Sequence, residues 1–87
     1  MEKGSCVYIL KCRDGSFYTG WTNEIDARVE THNQGLGAKY TRGRGPVELV
    51  YLEYLPDKSA ALKREAAIKK LRKEQKEKLI ASCSNKL

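Results

Sequence analysis

Cysteine is scarce and poorly spaced for structural work. Cys6, Cys12 and Cys83 are odd in number and have no metal-ligand spacing. This argues against a disulfide framework or a zinc site, and reduced thiols fit a cytosolic compartment. Cys6 reads simply as a small core residue. Long apolar runs and a signal-peptide pattern are also lacking, so no membrane span and a cytoplasmic location are expected. There is no internal repeat, helix-turn-helix or zinc finger that would read a nucleic-acid sequence. At 87 residues the chain has room for one domain with a modest core.

What the chain has in excess is positive charge. Lys and Arg total 17 against 11 Asp and Glu, giving +6 on a small body. Such an excess favours polyanionic partners through phosphate neutralisation and counterion release. The plainer alternative is a solvated basic face that maintains solubility.

The elements read as β-β-α-β-α-α. Residues 5–12 alternate as a strand, with Val7, Ile9 and the stem of Lys11 facing one way and Tyr8, Leu10 and Cys12 the other. Arg13-Asp14-Gly15 is a turn in which Gly15 can take positive φ, and residues 16–21 return as the second strand of a hairpin. Thr22 or Asn23 can cap a helix over residues 24–34 that ends at Gly35. With Ile25 at zero and about 100° per residue, Val29 falls near ~40°, His32 near ~340° and Arg28 near ~300°. Arg28 and His32 therefore share the inward face with Ile25 and Val29. Residues 34–46 are a glycine-rich loop carrying Lys39, Arg42 and Arg44 around Tyr40. Residues 47–55 alternate and are largely apolar on both sides, so this strand is expected at the centre of the sheet. Pro56-Asp57-Lys58-Ser59 starts a helix over residues 59–71, with Ala61, Ile68 and Leu71 on one stripe and Glu65 beside it. A charged helix over residues 73–82, apolar only at Leu79, Ile80 and Ala81, reads as a packing appendage.

Tyr8, Tyr18, Arg28, His32 and Glu65 thus come from four elements toward one polar site. Phosphodiester cleavage needs an activated water, charge stabilisation on the phosphoryl oxygens and help for the leaving oxygen. Arg28 can grip phosphate bidentately. Glu65 can hold one Mg²⁺, which accepts one or two carboxylates and fills its other positions with water and phosphate. A tyrosine can act as base only if its pKa falls from about 10 toward neutrality. Neutral His32 could accept the phenolic proton. Lys39, Tyr40, Arg42 and Arg44 suit a loop that tracks and stacks on a nucleic-acid strand. Each residue also has a bland reading: core tyrosines, a snorkelling arginine, a structural histidine, and a Glu65 paired with Lys69 on the helix surface.

The joint pattern resembles the GIY-YIG nuclease domain. Cys6-Val7-Tyr8 corresponds to the first motif and Tyr18-Thr19-Gly20 to the second, followed by Thr22-Asn23, Arg28, His32-Asn33 and the glutamate Glu65. The resemblance spans about residues 5–71, and it is similar to the small stand-alone, uncharacterised bacterial branch. It implies an α+β fold, with a small three-stranded antiparallel sheet flanked by helices and the charged C-terminal helix appended to one domain over residues 1–87. It also implies a single divalent ion, Mg²⁺ or Mn²⁺, on Glu65. The implied reaction is DNA hydrolysis leaving a 5′-phosphate and a 3′-hydroxyl. Tyr8 or Tyr18 would be the general base, with Tyr8 favoured because a histidine one turn after the arginine resembles family members in which it contacts the first tyrosine. Cys6 stands in place of glycine in the first motif and Thr19 in place of isoleucine in the second, and neither change removes a chemical group. A bare catalytic domain would bind weakly through backbone phosphates and could depend on a protein partner for target selection. The competing readings are a nucleic-acid-binding module with little or no catalysis and, behind it, an adaptor that docks through its charged C-terminal helix.

Overall fold

The computed structural model describes residues 5–33 and 46–83. Strands β1 (Ser5–Lys11) and β2 (Phe17–Thr22) precede helix α1 (Ile25–Asn33). Strand β3 (Glu48–Leu55) and helices α2 (Lys58–Lys69) and α3 (Lys73–Cys83) complete the α+β order β-β-α-β-α-α. The sheet is antiparallel throughout, with spatial order β2-β1-β3.

The expected place of β3 is therefore corrected: β1 is central and β3 is an edge. Burial gives the reason. Val7, Tyr8, Ile9 and Leu10 in β1 are almost fully buried on alternating faces, whereas Tyr54 in β3 is 61% exposed. Two apolar sides did not distinguish a central strand from an edge strand covered by helices. Strict alternation along β3 is also broken. Ile9 pairs with Tyr51 but Leu10 pairs with Leu49, so Val50 is an extra, bulged residue. Leu49 and Leu52 consequently share the Tyr8 face, while Val50, Tyr51 and Leu55 pack against the opposite one.

Local chemistry fixes the connections. Gly15 takes φ 86° in the hairpin turn, a conformation that glycine adopts without steric cost. The Thr22 hydroxyl accepts the Glu24 amide hydrogen at 3.0 Å, and Glu24 provides the carbonyl for the first helical bond from Arg28. Asp57 caps α2 by accepting from the Ala60 amide at 2.8 Å. Gln75 reaches back to the Arg72 amide at 2.9 Å and starts α3 as half of a capping box.

One core cluster joins Cys6, Tyr8, Leu10, Cys12, Ile25 and Val47 beneath α1. The other joins Val7, Ile9, Tyr51, Ala61 and Ile68 beneath α2 and α3, with Leu79 and Ile80 packed against it. The C-terminal helix thus does pack as an appendage. Leu62, next to Ala61 on α2, is 40% exposed.

Thr19 is 3% exposed on the second face, and its hydroxyl finds no hydrogen-bond partner among the described residues. Thr19→Val keeps the shape and removes the orphaned group. It is expected to stabilise the fold by about 1 kcal/mol, read as a higher thermal midpoint. A lower midpoint would show that the hydroxyl is satisfied.

Candidate active site

The site grows from the hairpin register. Tyr8 lies directly opposite Gly20 across the β1–β2 ladder, and the Tyr8 ring folds over that glycine. A Cβ at position 20 would sit 2.6 Å from the Tyr8 hydroxyl oxygen and 2.8 Å from Cζ. Gly20 is therefore a seat for the phenol. In the sequence this glycine is simply the last residue of the second motif, and its register opposite Tyr8 is what reveals its role.

Helix α1 supplies the next group. Its inward face carries Ile25 into the core and His32, 1% exposed, against Tyr8. His32 Nε2 lies 3.2 Å from the Tyr8 hydroxyl. In the tautomer with its proton on Nδ1, Nε2 accepts the phenolic hydrogen. Tyr18 completes a three-ring cluster, with its centroid 5.2 Å from His32 and 6.3 Å from Tyr8.

A cavity of about 250 Å³ opens in front of these rings, lined by Tyr8, Tyr18, Gly20, Trp21, Thr22, Asn23, Arg28 and Glu65. Tyr8, Tyr18, Arg28 and Glu65, predicted from sequence as site residues, line it together, and His32 stands behind Tyr8. Trp21 and Asn23 were not foreseen in its wall. Lys39, Tyr40, Arg42 and Arg44 lie outside the described residues.

The electrostatics differ from the simple expectation for a tyrosine base. Burial pushes the Tyr8 phenol up from its ordinary value, with Tyr18 and Glu65 adding to the rise and Arg28 opposing it. Tyr8 is thus a neutral phenol near neutral pH. Burial lowers the His32 pKa, and the nearby Arg28 charge lowers it further. His32 is therefore neutral and able to accept a proton.

The depressed His32 value sets a pH dependence. The unfolded imidazole, near 6.5, binds protons that the folded one refuses. The stability tied to His32 is thus full above about pH 6.5 and is lost as pH falls from there toward the folded pKa, by at most about 1.4 kcal/mol per unit. His32→Gln is expected to flatten this dependence in denaturation midpoints measured between about pH 7.5 and pH 5. Parallel pH profiles for the two proteins would contradict it.

Glu65 is held on α2 with its side chain 16% exposed. The Lys69 ammonium lies 3.3 Å from Glu65 Oε2, one turn on, so the predicted surface pairing exists alongside the cavity position. The lysine is 53% exposed, and a solvent-facing pair of this kind is worth little and is readily displaced. One residue before Glu65, Arg64 Nε donates to Glu53 Oε1 at 2.9 Å, and the Tyr51 hydroxyl donates to the same oxygen. This clamp ties α2 to β3 beside Glu65, and sequence spacing gave no sign of it.

Among the described residues no cluster of three His, Cys, Asp or Glu side chains forms a metal cage. The donor set nevertheless fits a hard, hydrated divalent cation. Mg²⁺ commonly takes one or two carboxylates and keeps waters and substrate phosphate as its remaining ligands. Glu65 offers the carboxylate, and the cavity has room for the waters.

Cys6 occupies its position without strain. It is 1% exposed and its thiol donates to the Thr22 carbonyl at 3.2 Å, while burial raises its pKa and keeps it protonated.

Similarity to known proteins extends over most of the chain. A family model described as the GIY-YIG catalytic domain matches residues 4–78. A UPF0213 protein of Clostridium perfringens is 60% identical over 80 residues, covering 92% of this chain and 86% of that protein. A UPF0213 protein of Staphylococcus aureus is 57% identical over 74 residues, covering 85% and 90%. The solution structure of a UPF0213 protein from Bacillus halodurans superposes with a TM-score of 0.61 at 46% identity, covering 92% of this chain and 85% of that one. A solution structure from E. faecalis gives a TM-score of 0.63 at 45% identity, covering 94% and 90%. The chain therefore belongs to the GIY-YIG catalytic domain family and, within it, to the bacterial UPF0213 group.

Proposed function

We propose that this protein is a divalent-metal-dependent nuclease that hydrolyses DNA phosphodiester bonds in the cavity between β2, α1 and α2. The observation that carries this reading is the convergence of Tyr8, Tyr18, Arg28 and Glu65 on one cavity wall, with His32 hydrogen-bonded behind Tyr8.

Each side chain has a task that its surroundings suit. Arg28 faces the cavity from the solvent side of α1 and grips the phosphoryl oxygens as charge builds on them. Glu65 would hold the cation, and a bound divalent ion supplies Lewis-acid stabilisation of the phosphoryl charge. Tyr8 receives the proton of the attacking water as its own phenolic hydrogen passes to His32 Nε2, 3.2 Å away. This relay does not require a free phenolate, which the burial of Tyr8 opposes. The water oxygen bonds to phosphorus, the bond to O3′ breaks, and O3′ takes up a proton from solvent. A 5′-phosphate and a 3′-hydroxyl result.

A binding module with little catalysis is the second reading. It is favoured by the upward shift of Tyr8 and by the Lys69 ammonium held on Glu65. A cleavage assay separates the two. Labelled single-stranded, duplex, flapped and branched DNA are incubated with Mg²⁺ or Mn²⁺ and, in parallel, with a chelator. Metal-dependent cleavage of at least one substrate is expected. Intact DNA on every substrate, with binding still measurable, would replace the nuclease reading with the binding one.

A further inference from the structure

The edge of β2 carries a second basic feature that connects with the cavity. Phe17 and Trp21 lie on the same face of β2 and pack with Val7 and Ile9 against α2 and α3. Trp21 also reaches the catalytic cavity. A lysine amine lies over each ring: Lys58 Nζ is 5.3 Å from the Trp21 centroid and Lys73 Nζ is 5.9 Å from the Phe17 centroid. These cation–π contacts hold the ammonium groups in place without neutralising them. Beyond Phe17 lies a cavity of about 240 Å³ lined by Ser16, Phe17, Lys73 and Lys76. Its two lysines come from one face of α3 by i,i+3 spacing. The Ser16 hydroxyl is taken by Asp14, so the two ammonium groups are the donors this cavity offers.

We propose that the outer edge of β2 is a path for the backbone of a nucleic-acid strand. It runs from the catalytic cavity past Lys58 to a phosphate subsite formed by Lys73 and Lys76. The proposal rests on the nucleic-acid part of the function given above. β2 is an edge strand with no neighbour among the described strands on that side. Four residues of strand rise about 13 Å, the axial span of about four stacked nucleotides. The rings are covered by ammonium groups, so the path reads phosphates and not bases.

The test uses the full chain with a chelator and a labelled, mixed-sequence single strand of about twelve nucleotides. Affinity is measured across a range of salt. Lys73→Gln with Lys76→Gln is expected to weaken binding and to reduce the salt slope by about 1.4, two contacts at about 0.7 each. Lys78→Gln, on the far side of α3, is expected to leave the slope unchanged. If the double variant fails to fold by circular dichroism, Lys73→Gln alone decides, with an expected change of about 0.7. A slope indifferent to Lys73 and Lys76 overturns the path. The same strand is then offered with Mg²⁺. Cleavage together with an indifferent slope overturns the path alone. A lysine-dependent slope upholds the path whether or not this strand is cut, and the nuclease then stands or falls on the four DNA structures with Mg²⁺ or Mn²⁺. Absence of binding by the wild type overturns the path.

Discussion

Arg28→Ala and Glu65→Gln are each expected to lower the single-turnover cleavage rate by about 100- to 1,000-fold while the circular dichroism spectrum stays unchanged. The expectation of an intact fold comes from where the two side chains sit. Arg28 is exposed on α1, and Glu65 projects from α2 into the cavity, so neither belongs to the two core clusters. The expected loss of rate comes from what each faces. Removing the guanidinium withdraws the positive charge that opposes the upward shift of Tyr8 and depresses His32. Its loss leaves Tyr8 and His32 at least as basic as before, so in a relay that ends on His32 the expected slowing of Arg28→Ala is that of the lost phosphate contact. Glu65→Gln keeps the size of the side chain and removes only the anionic oxygen, so it should also abolish the response to added metal. Wild-type rates in both variants would remove the site from consideration.

Gly20→Ala should show the opposite signature, with activity and stability falling together. The added methyl would meet the Tyr8 hydroxyl at 2.6 Å and Cζ at 2.8 Å, closer than real contacts allow. Tyr8 is 2% exposed in the central strand, so it has little space into which to retreat. Overpacking of this kind costs about 1–3 kcal/mol, or a fall in thermal midpoint of roughly 4–24 °C for a domain of this size. Displacing the phenol also breaks its 3.2 Å hydrogen bond to His32. A variant that melts with the wild type would show that the strands separate at no cost, and the seat assigned to Gly20 would be wrong.

The hairpin was legible in the sequence because its signals are local. Alternation over Val7–Leu10 and a glycine at the turn specify two paired strands, and Asp57 marks the start of α2 by its own hydrogen bond. The inward face of α1 was legible in part: helical spacing placed His32 beside Ile25, and both are buried, but it placed Arg28 there too, whereas Arg28 is exposed and meets the cavity from the border of that face. The position of β3 was not legible. Its two apolar sides fit either a central strand or an edge covered by α3, and only pairing decides. The bulge at Val50 shifts the faces within a single strand, which a period-two reading cannot express. Within the site, the residue types were readable but the tuning was not. The direction of the Tyr8 shift depends on how deeply the fold buries the ring, a tertiary quantity. The Tyr51–Glu53–Arg64 clamp joins residues from β3 and α2 whose proximity no spacing rule announces.

The placement of Tyr8 at the centre of the sheet bears on how a sequence of this kind is to be compared with others. Tyr8, Gly20 and His32 are as much packing as chemistry: all are buried, and each fills or vacates space for another. Drift that extinguished catalysis would still be held back at these positions by the need to fold. Their survival in a homologue thus reports a preserved architecture and says little about turnover. Arg28 and Glu65 contribute little to packing, so they are free to vary once the reaction ceases to matter. Those two positions are where living enzymes and silent descendants would part company.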